Sequence, residues 1–124
     1  MQSVTSNAVA SALRGANIVS SMLSITTDWL LPFTCDIRQL GNLLICNLFF
    51  EVTTPQTLYS NTDVGQFAVD PAFTVRTIGV VETTGETIKV EIKEQGLFVL
   101  GPYSDSVNIN GYVRVESIII PLAN

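Results

Sequence analysis

The sequence contains no histidine. That absence removes Ser-His-Asp and Cys-His catalysis, histidine-ligated zinc and any imidazole pH switch in one step. Charge is also scarce. Only 14% of residues are Asp, Glu, Lys or Arg, the net charge is −5 and the pI is about 4.4. The six basic residues (Arg14, Arg38, Arg76, Lys89, Lys93, Arg114) are scattered, which argues against nucleic acid as a partner. There are two cysteines, Cys35 and Cys46, and they do not form a CxxC motif. Either they make a cross-strand or redox pair, or they are two buried thiols acting as small apolar residues; the composition favours the second reading. No apolar run approaches the ~18–20 residues of a membrane span. The N-terminus lacks a basic leader followed by an apolar core. Synthesis in a cytosol, without membrane insertion, is the expectation.

What is present is apolar. Of 124 residues, 47% are hydrophobic and the mean hydropathy is +0.40. A chain of this length makes one domain and buries roughly two-thirds of its unfolded surface, so it needs no metal or disulfide staple. So few charges barely cover a lone monomer, a first hint that part of the surface is buried between copies.

The first 26 residues differ in texture from the rest. They are rich in Ser, Ala and Asn. Ser3 or Thr5 can cap a helix in which Ala8, Val9, Ala12 and Leu13 share one side, and Gly15 ends or interrupts it. Ile18, Met22 and Ile25 continue a spacing of three to four. So short a helix is not stable by itself, and a short parallel coiled coil is the simplest way to cover its stripe.

From residue 27 to 124 the pattern is that of strands. Thr34 to Arg38 alternates, Leu40-Gly41-Asn42 turns, and Leu43 to Thr53 is a long strand. Pairing through that turn puts Cys35 and Ile37 on the face of Leu44, Cys46 and Leu48. The other face of the long strand carries Leu43, Ile45 and Phe49, which calls for a second cover. Further strands are expected around 57–60, 64–68, 73–83, 87–93, 97–100 and 111–120, with turns at Thr54-Pro55, Asp70-Pro71, Thr84-Gly85 and Glu94-Gln95-Gly96 and a loop over 101–110. In Thr87 to Lys93, Ile88, Val90 and Ile92 point in while Lys89, Glu91 and Lys93 point out. About seven strands at this spacing predict a mainly β protein: an antiparallel, jelly-roll-like β-sandwich preceded by the N-terminal α-helix.

No catalytic constellation emerges. Asp28/Asp36 and Glu91/Glu94 read as solvated turn or strand carboxylates rather than a glycosidase pair. Asp63, Asp70, Asp105 and Asn108 lack calcium-loop spacing, and the isolated glycines form no phosphate cradle. No enzyme activity, metal or cofactor is therefore expected. Two loops carry an aromatic beside short polar side chains: one has Tyr59, Asn61 and Asp63, the other Tyr103, Asp105 and Asn108. This combination suits sugars, although ordinary solvated turns look the same.

Ser3-Val4-Thr5-Ser6-Asn7-Ala8-Val9-Ala10-Ser11-Ala12-Leu13 resembles a short motif of phage tail-fibre and baseplate appendage proteins, where it precedes a trimeric helical or fibrous stretch. The block from Thr34 resembles the β-sandwich knob of the same proteins. Asp36 to Leu44, Val64 to Phe73 and Gly111 to Val115 carry that likeness. It implies a homotrimer in a virion, contacting other virion proteins and a host-surface glycan or protein. Under that reading Val9, Leu13, Ile18, Met22, Leu43, Ile45 and Phe49 form the trimer interface, and the two loops are the receptor-binding candidates. The competing class is a carbohydrate-binding module of a cellular or secreted protein, which a flexible linker would more typically join to its enzyme.

Overall fold

The computed structural model describes residues 17–18 and 20–123. They are mainly β, with strands β1 (Asn17–Ile18), β2 (Leu23–Ile25), β3 (Leu30–Leu40), β4 (Leu43–Leu58), β5 (Thr62–Phe67), β6 (Val75–Val81), β7 (Thr87–Ile92), β8 (Leu97–Gly101) and β9 (Val107–Pro121). All neighbours are antiparallel in one sheet, ordered β1-β3-β4-β9-β6-β7-β8-β5-β2. The sheet curls until it is nearly closed. The strands do not divide into two facing sheets as a sandwich's would. The two halves of one barrel-like sheet face each other across a single core.

The hairpin β3–β4 follows the expected register. Leu40 pairs with Leu43 across Gly41-Asn42, Ile37 with Cys46 and Cys35 with Leu48. Leu44, Cys46, Leu48, Phe50 and Val52 all point inward and are buried. They meet Ile88, Val90 and Ile92 of β7, Phe98 and Leu100 of β8, and Val113, Val115, Ile118 and Ile120 of β9. Within this core Phe98 meets Phe50 in a tilted contact and Phe67 edge-on, with ring centroids 5.8 and 5.9 Å apart. Fully burying one such side chain contributes roughly 1.5–3 kcal/mol. The alternation of β7 holds for Ile88, Val90 and Ile92, but Glu91 is 9% exposed on the outer face, where Arg76 approaches it at 3.6 Å.

Three expectations are corrected. Ile18, Met22 and Ile25 do not continue a helix: they lie in β1, in a 3-10 turn (Ser20–Met22) and in β2. Their stripe is narrow and the flanking residues are Ser, Thr and β-branched, so pairing with open sheet edges outweighs a weak helical preference. The earlier part of the expected helix, with Val9 and Leu13, lies outside the described residues. Secondly, β4 runs through Thr54-Pro55 instead of turning. The register against β9 slips between Val52 and Gln56, and such an irregularity is where a strand tolerates proline. Thirdly, β9 begins at Val107, because Val107 and Ile109 point inward while Asn108 stays exposed; the loop shrinks to residues 102–106.

Residues 17–18 and 20–29 close the barrel. β1 pairs with β3 at one sheet edge, and β2 pairs with β5 at the other. The 3-10 turn crosses the seam near Ala68, whose N–H donates to the Met22 carbonyl at 2.8 Å. Residues 26–29 cross back at the opposite end, where the Thr26 and Thr53 N–H groups donate to the Val64 and Trp29 carbonyls.

Gly96, in the β7–β8 turn, has φ +87°, and a Cβ there would stand 2.5 Å from the Phe67 carbonyl oxygen and 2.7 Å from that of Val69. Gly85 has φ +74° but open space around it. Gly96→Ala should therefore cost at least about 2 kcal/mol and Gly85→Ala about 1 kcal/mol. Urea denaturation of the two variants checks this; equal losses would contradict the packing described.

Candidate functional site

Strand directions place the two sequence-predicted loops together. Leu58 pairs with Val107 and Thr62 with Leu100, so residues 59–61 and 102–106 leave the sheet at one end. Asn61 lies directly against Gly101, and the Thr57 hydroxyl donates to Asn108 Oδ1 at 2.8 Å. The turn at 82–86 joins them. Gly85, Glu86, Thr87, Tyr103, Ser104, Ser106 and Val107 line an open cleft of about 380 Å³. The Tyr103 hydroxyl reaches the Thr77 carbonyl at 3.5 Å, and its ring is half exposed. Tyr59 is 75% exposed; Asn61, Asp63, Asp105 and Asn108 are exposed too. Asn17 pairs with Gln39 at the opposite end of the barrel, and Leu122 bonds there to the Asn42 carbonyl. The candidate loops thus stand distal to both ends of the described chain.

The expected interface residues are not grouped so simply. Leu43, Ile45 and Phe49 share the outer face of β4 as expected, yet each is half-buried within a single copy. Met22 packs partly buried against the core, and Ile18 lies in β1. The large apolar side chains that protrude on or beside this face are Leu31, Phe33, Leu40 and Ile119.

Phe49 is covered by its own chain, and its cover forms a second concavity. Pro32 pairs with Phe50 but Thr34 with Phe49, so Phe33 is the extra residue of a bulge and is turned outward. Its ring meets those of Phe49 and Tyr112 edge-on, both at 5.5 Å, while Phe49 and Tyr112 lie 5.2 Å apart. Arg114, directly across from Phe49, lays its guanidinium 5.0 Å from the Phe49 ring centroid. Arg114 Nε pairs with Glu82 at 2.6 Å and Nη1 with Glu116 at 2.9 Å. Arg38 Nε pairs with Asp36 at 3.1 Å.

A second bulge borders the same place. Cys46 pairs with Ile118 and Leu48 with Val115, so Glu116 and Ser117 together oppose Asn47. Ser117 adopts φ +58°, and its N–H donates to Asn47 Oδ1 at 2.8 Å. A serine held left-handed stores roughly 1–3 kcal/mol of strain. Between the bulges lies an open groove of about 430 Å³ lined by Phe33, Thr34, Asp36, Asn47, Leu48, Phe49, Arg114 and Glu116. Sequence reasoning did not find this groove. The outward pattern of Phe49, Arg114 and Glu116 is legible, but the β4–β9 register that joins residues some 65 positions apart is not.

Inside the barrel, Cys35 and Cys46 are thiols on one face. Cys35 opposes Leu48 and Cys46 opposes Ile37, so the two are diagonal neighbours, about 7–8 Å apart by strand geometry, too far for an unstrained bridge. Among the described residues, no group of three or more Cys, Asp or Glu side chains is placed to hold a metal ion.

No protein-family model matches this chain, and no curated protein matches it significantly.

Burial pushes the Cys46 thiol up to about 12, with Cys35 and Asp36 nearby adding to the rise, and burial also raises Cys35. Between pH 9 and 12 the unfolded chain releases the Cys46 proton while the folded chain keeps it. Stability should therefore be full below pH 9 and fall above it, by up to about 1.4 kcal/mol per pH unit from this group. Urea titrations at pH 7.5, 9 and 10.5 should show that decline, and Cys46→Val should flatten it.

Proposed function

We propose that the protein is a non-enzymatic structural component of a phage virion, a tail, baseplate or head-fibre appendage. In this reading it is a homotrimer whose N-terminal segment forms a helical coiled coil. The barrel-like domain is its jelly-roll-like knob, docked to other virion proteins and presenting its loops to a host-surface glycan or protein. The resemblance of residues 3–13 and of the block from Thr34 supports it. The observation that carries most weight is the position of the loops with Tyr59 and Tyr103. They cluster at the end of the barrel opposite Asn17, where an appendage attached through its N-terminal side would meet its target. The protruding Leu31, Leu40 and Ile119, beside Leu43 and Ile45, offer apolar surface for contact between copies.

The second reading, a carbohydrate-binding module of a cellular or secreted protein, is favoured by the aromatic and charged groove on the flank of β3, β4 and β9.

Light scattering separates the two. The virion reading expects the mass of three 13.4 kDa chains at micromolar concentration, and a monomer overturns it. Replacing Tyr59 and Tyr103 together by alanine should reduce adsorption to the host bacterium while the trimer persists. Unchanged adsorption, or loss of the trimer, removes the receptor role from these loops.

A further inference from the structure

We propose that the groove between the two bulges of β3, β4 and β9 is a saccharide-binding site that receives a pyranose ring. Three observations meet there: a concavity of ligand size, polar groups of both hydrogen-bonding senses around aromatic rings, and backbone irregularity on both sides.

The groove volume of about 430 Å³ lies within the ~300–1,000 Å³ of small-ligand sites. Its lining combines the rings of Phe49 and Phe33 with the polar side chains of Asp36, Asn47, Arg114 and Glu116. The chemistry of those polar groups selects among ligands. Asp36, Glu116 and the adjoining Glu82 face two guanidinium groups, Arg38 and Arg114. The local charge is one negative, which repels phosphate, sulfate or carboxylate ligands. The two guanidinium groups, in turn, oppose a cation. A wholly apolar ligand would strip water from the three charged groups of the lining, Asp36, Arg114 and Glu116, and return no hydrogen bonds. A neutral polyol satisfies the whole set, because each hydroxyl both donates and accepts. It can donate to Asp36 and Glu116 and accept from Arg114 and the Asn47 amide. Asn47 Oδ1 is already committed to the Ser117 N–H, which leaves its NH₂ for a ligand. A pyranose adds what a simple polyol lacks, a face of C–H groups to lie on the exposed ring of Phe33.

The bulges supply the second argument. Bulges re-aim side chains and are enriched beside functional sites. Here one turns Phe33 onto Phe49, and the other holds Ser117 at φ +58° beside Asn47 and Glu116. Neither irregularity improves the core, since Phe33 is 61% exposed and Ser117 is exposed. The two open the groove. Nor does the groove have the make-up of a contact between copies, because interface cores are depleted in charged residues and this lining carries three.

The site stands whether or not the chain belongs to a virion. It is tested by exposing the full chain, fluorescently labelled, to a printed array of bacterial and animal oligosaccharides, followed by calorimetric titration with the glycan bound best. Binding of at least one pyranose-containing glycan is expected. Phe33→Ala and Glu116→Gln alter exposed side chains and should each weaken it about tenfold or more. The variant lacking Tyr59 and Tyr103 should bind normally, and all variants should keep the parent's mass by light scattering. An array without binding overturns the proposal, as does binding untouched by both groove substitutions or lost with the two tyrosines instead. A change of mass in Phe33→Ala or Glu116→Gln also overturns it, by making the groove a contact between copies. The parent's own mass decides the trimer separately.

Discussion

The structure depends on satisfying the backbone of two sheet edges. A single antiparallel sheet that curls around one core leaves β3 and β5 facing each other across a seam, each with unpaired amides and carbonyls. An open edge of that kind invites pairing with other chains. Residues 17–18 and 20–29 resolve it: two pair with β3, a 3-10 turn crosses the seam, three pair with β5, and the chain crosses back. Local helical preference in this stretch is small beside the cost of orphaned edge groups. The same curl brings β4 and β9 to the centre, where their long pairing fixes the distal loops at one end and the flank groove on the side.

The two concavities differ in how the fold makes them. The distal cleft arises where three connections converge, and apart from Thr87 and Val107 its lining residues belong to turns. The flank groove is made of strand residues whose direction is set by register. Phe49 and Arg114 face each other because Phe50 and Val113 must both point inward. A site built on strands is held more firmly than one built on loops.

Much of the fold was legible because period-2 alternation over a buried face is a strong signal. Ile88, Val90 and Ile92, and the even positions from Leu44 to Val52, identify themselves. The Gly41-Asn42 turn then fixes the β3–β4 register. What misled was local ambiguity. Ile18, Met22 and Ile25 fit a helical spacing as well as a broken strand, Pro55 resembles a turn until a slipped register absorbs it, and Asn108 disguises the alternation of Val107 and Ile109. The predicted loops were found because aromatic and short polar residues between apolar runs mark a connection. The groove stayed hidden because it needs the pairing of β4 with β9, and its second bulge is marked only by Ser117, an ordinary serine in the sequence.

The seam has a mechanical meaning. Asn17 lies at the same end of the barrel as Leu122, so tension arriving from the N-terminal side runs along β1, sliding it against β3. Two paired residues resist that slide, and three more on β2 come next; β4 and β9 share an interface many times longer. Under load the strap should give way first and in steps, while the barrel and its distal loops stay intact. Compliance under load is thus confined to the segment that also closes the sheet.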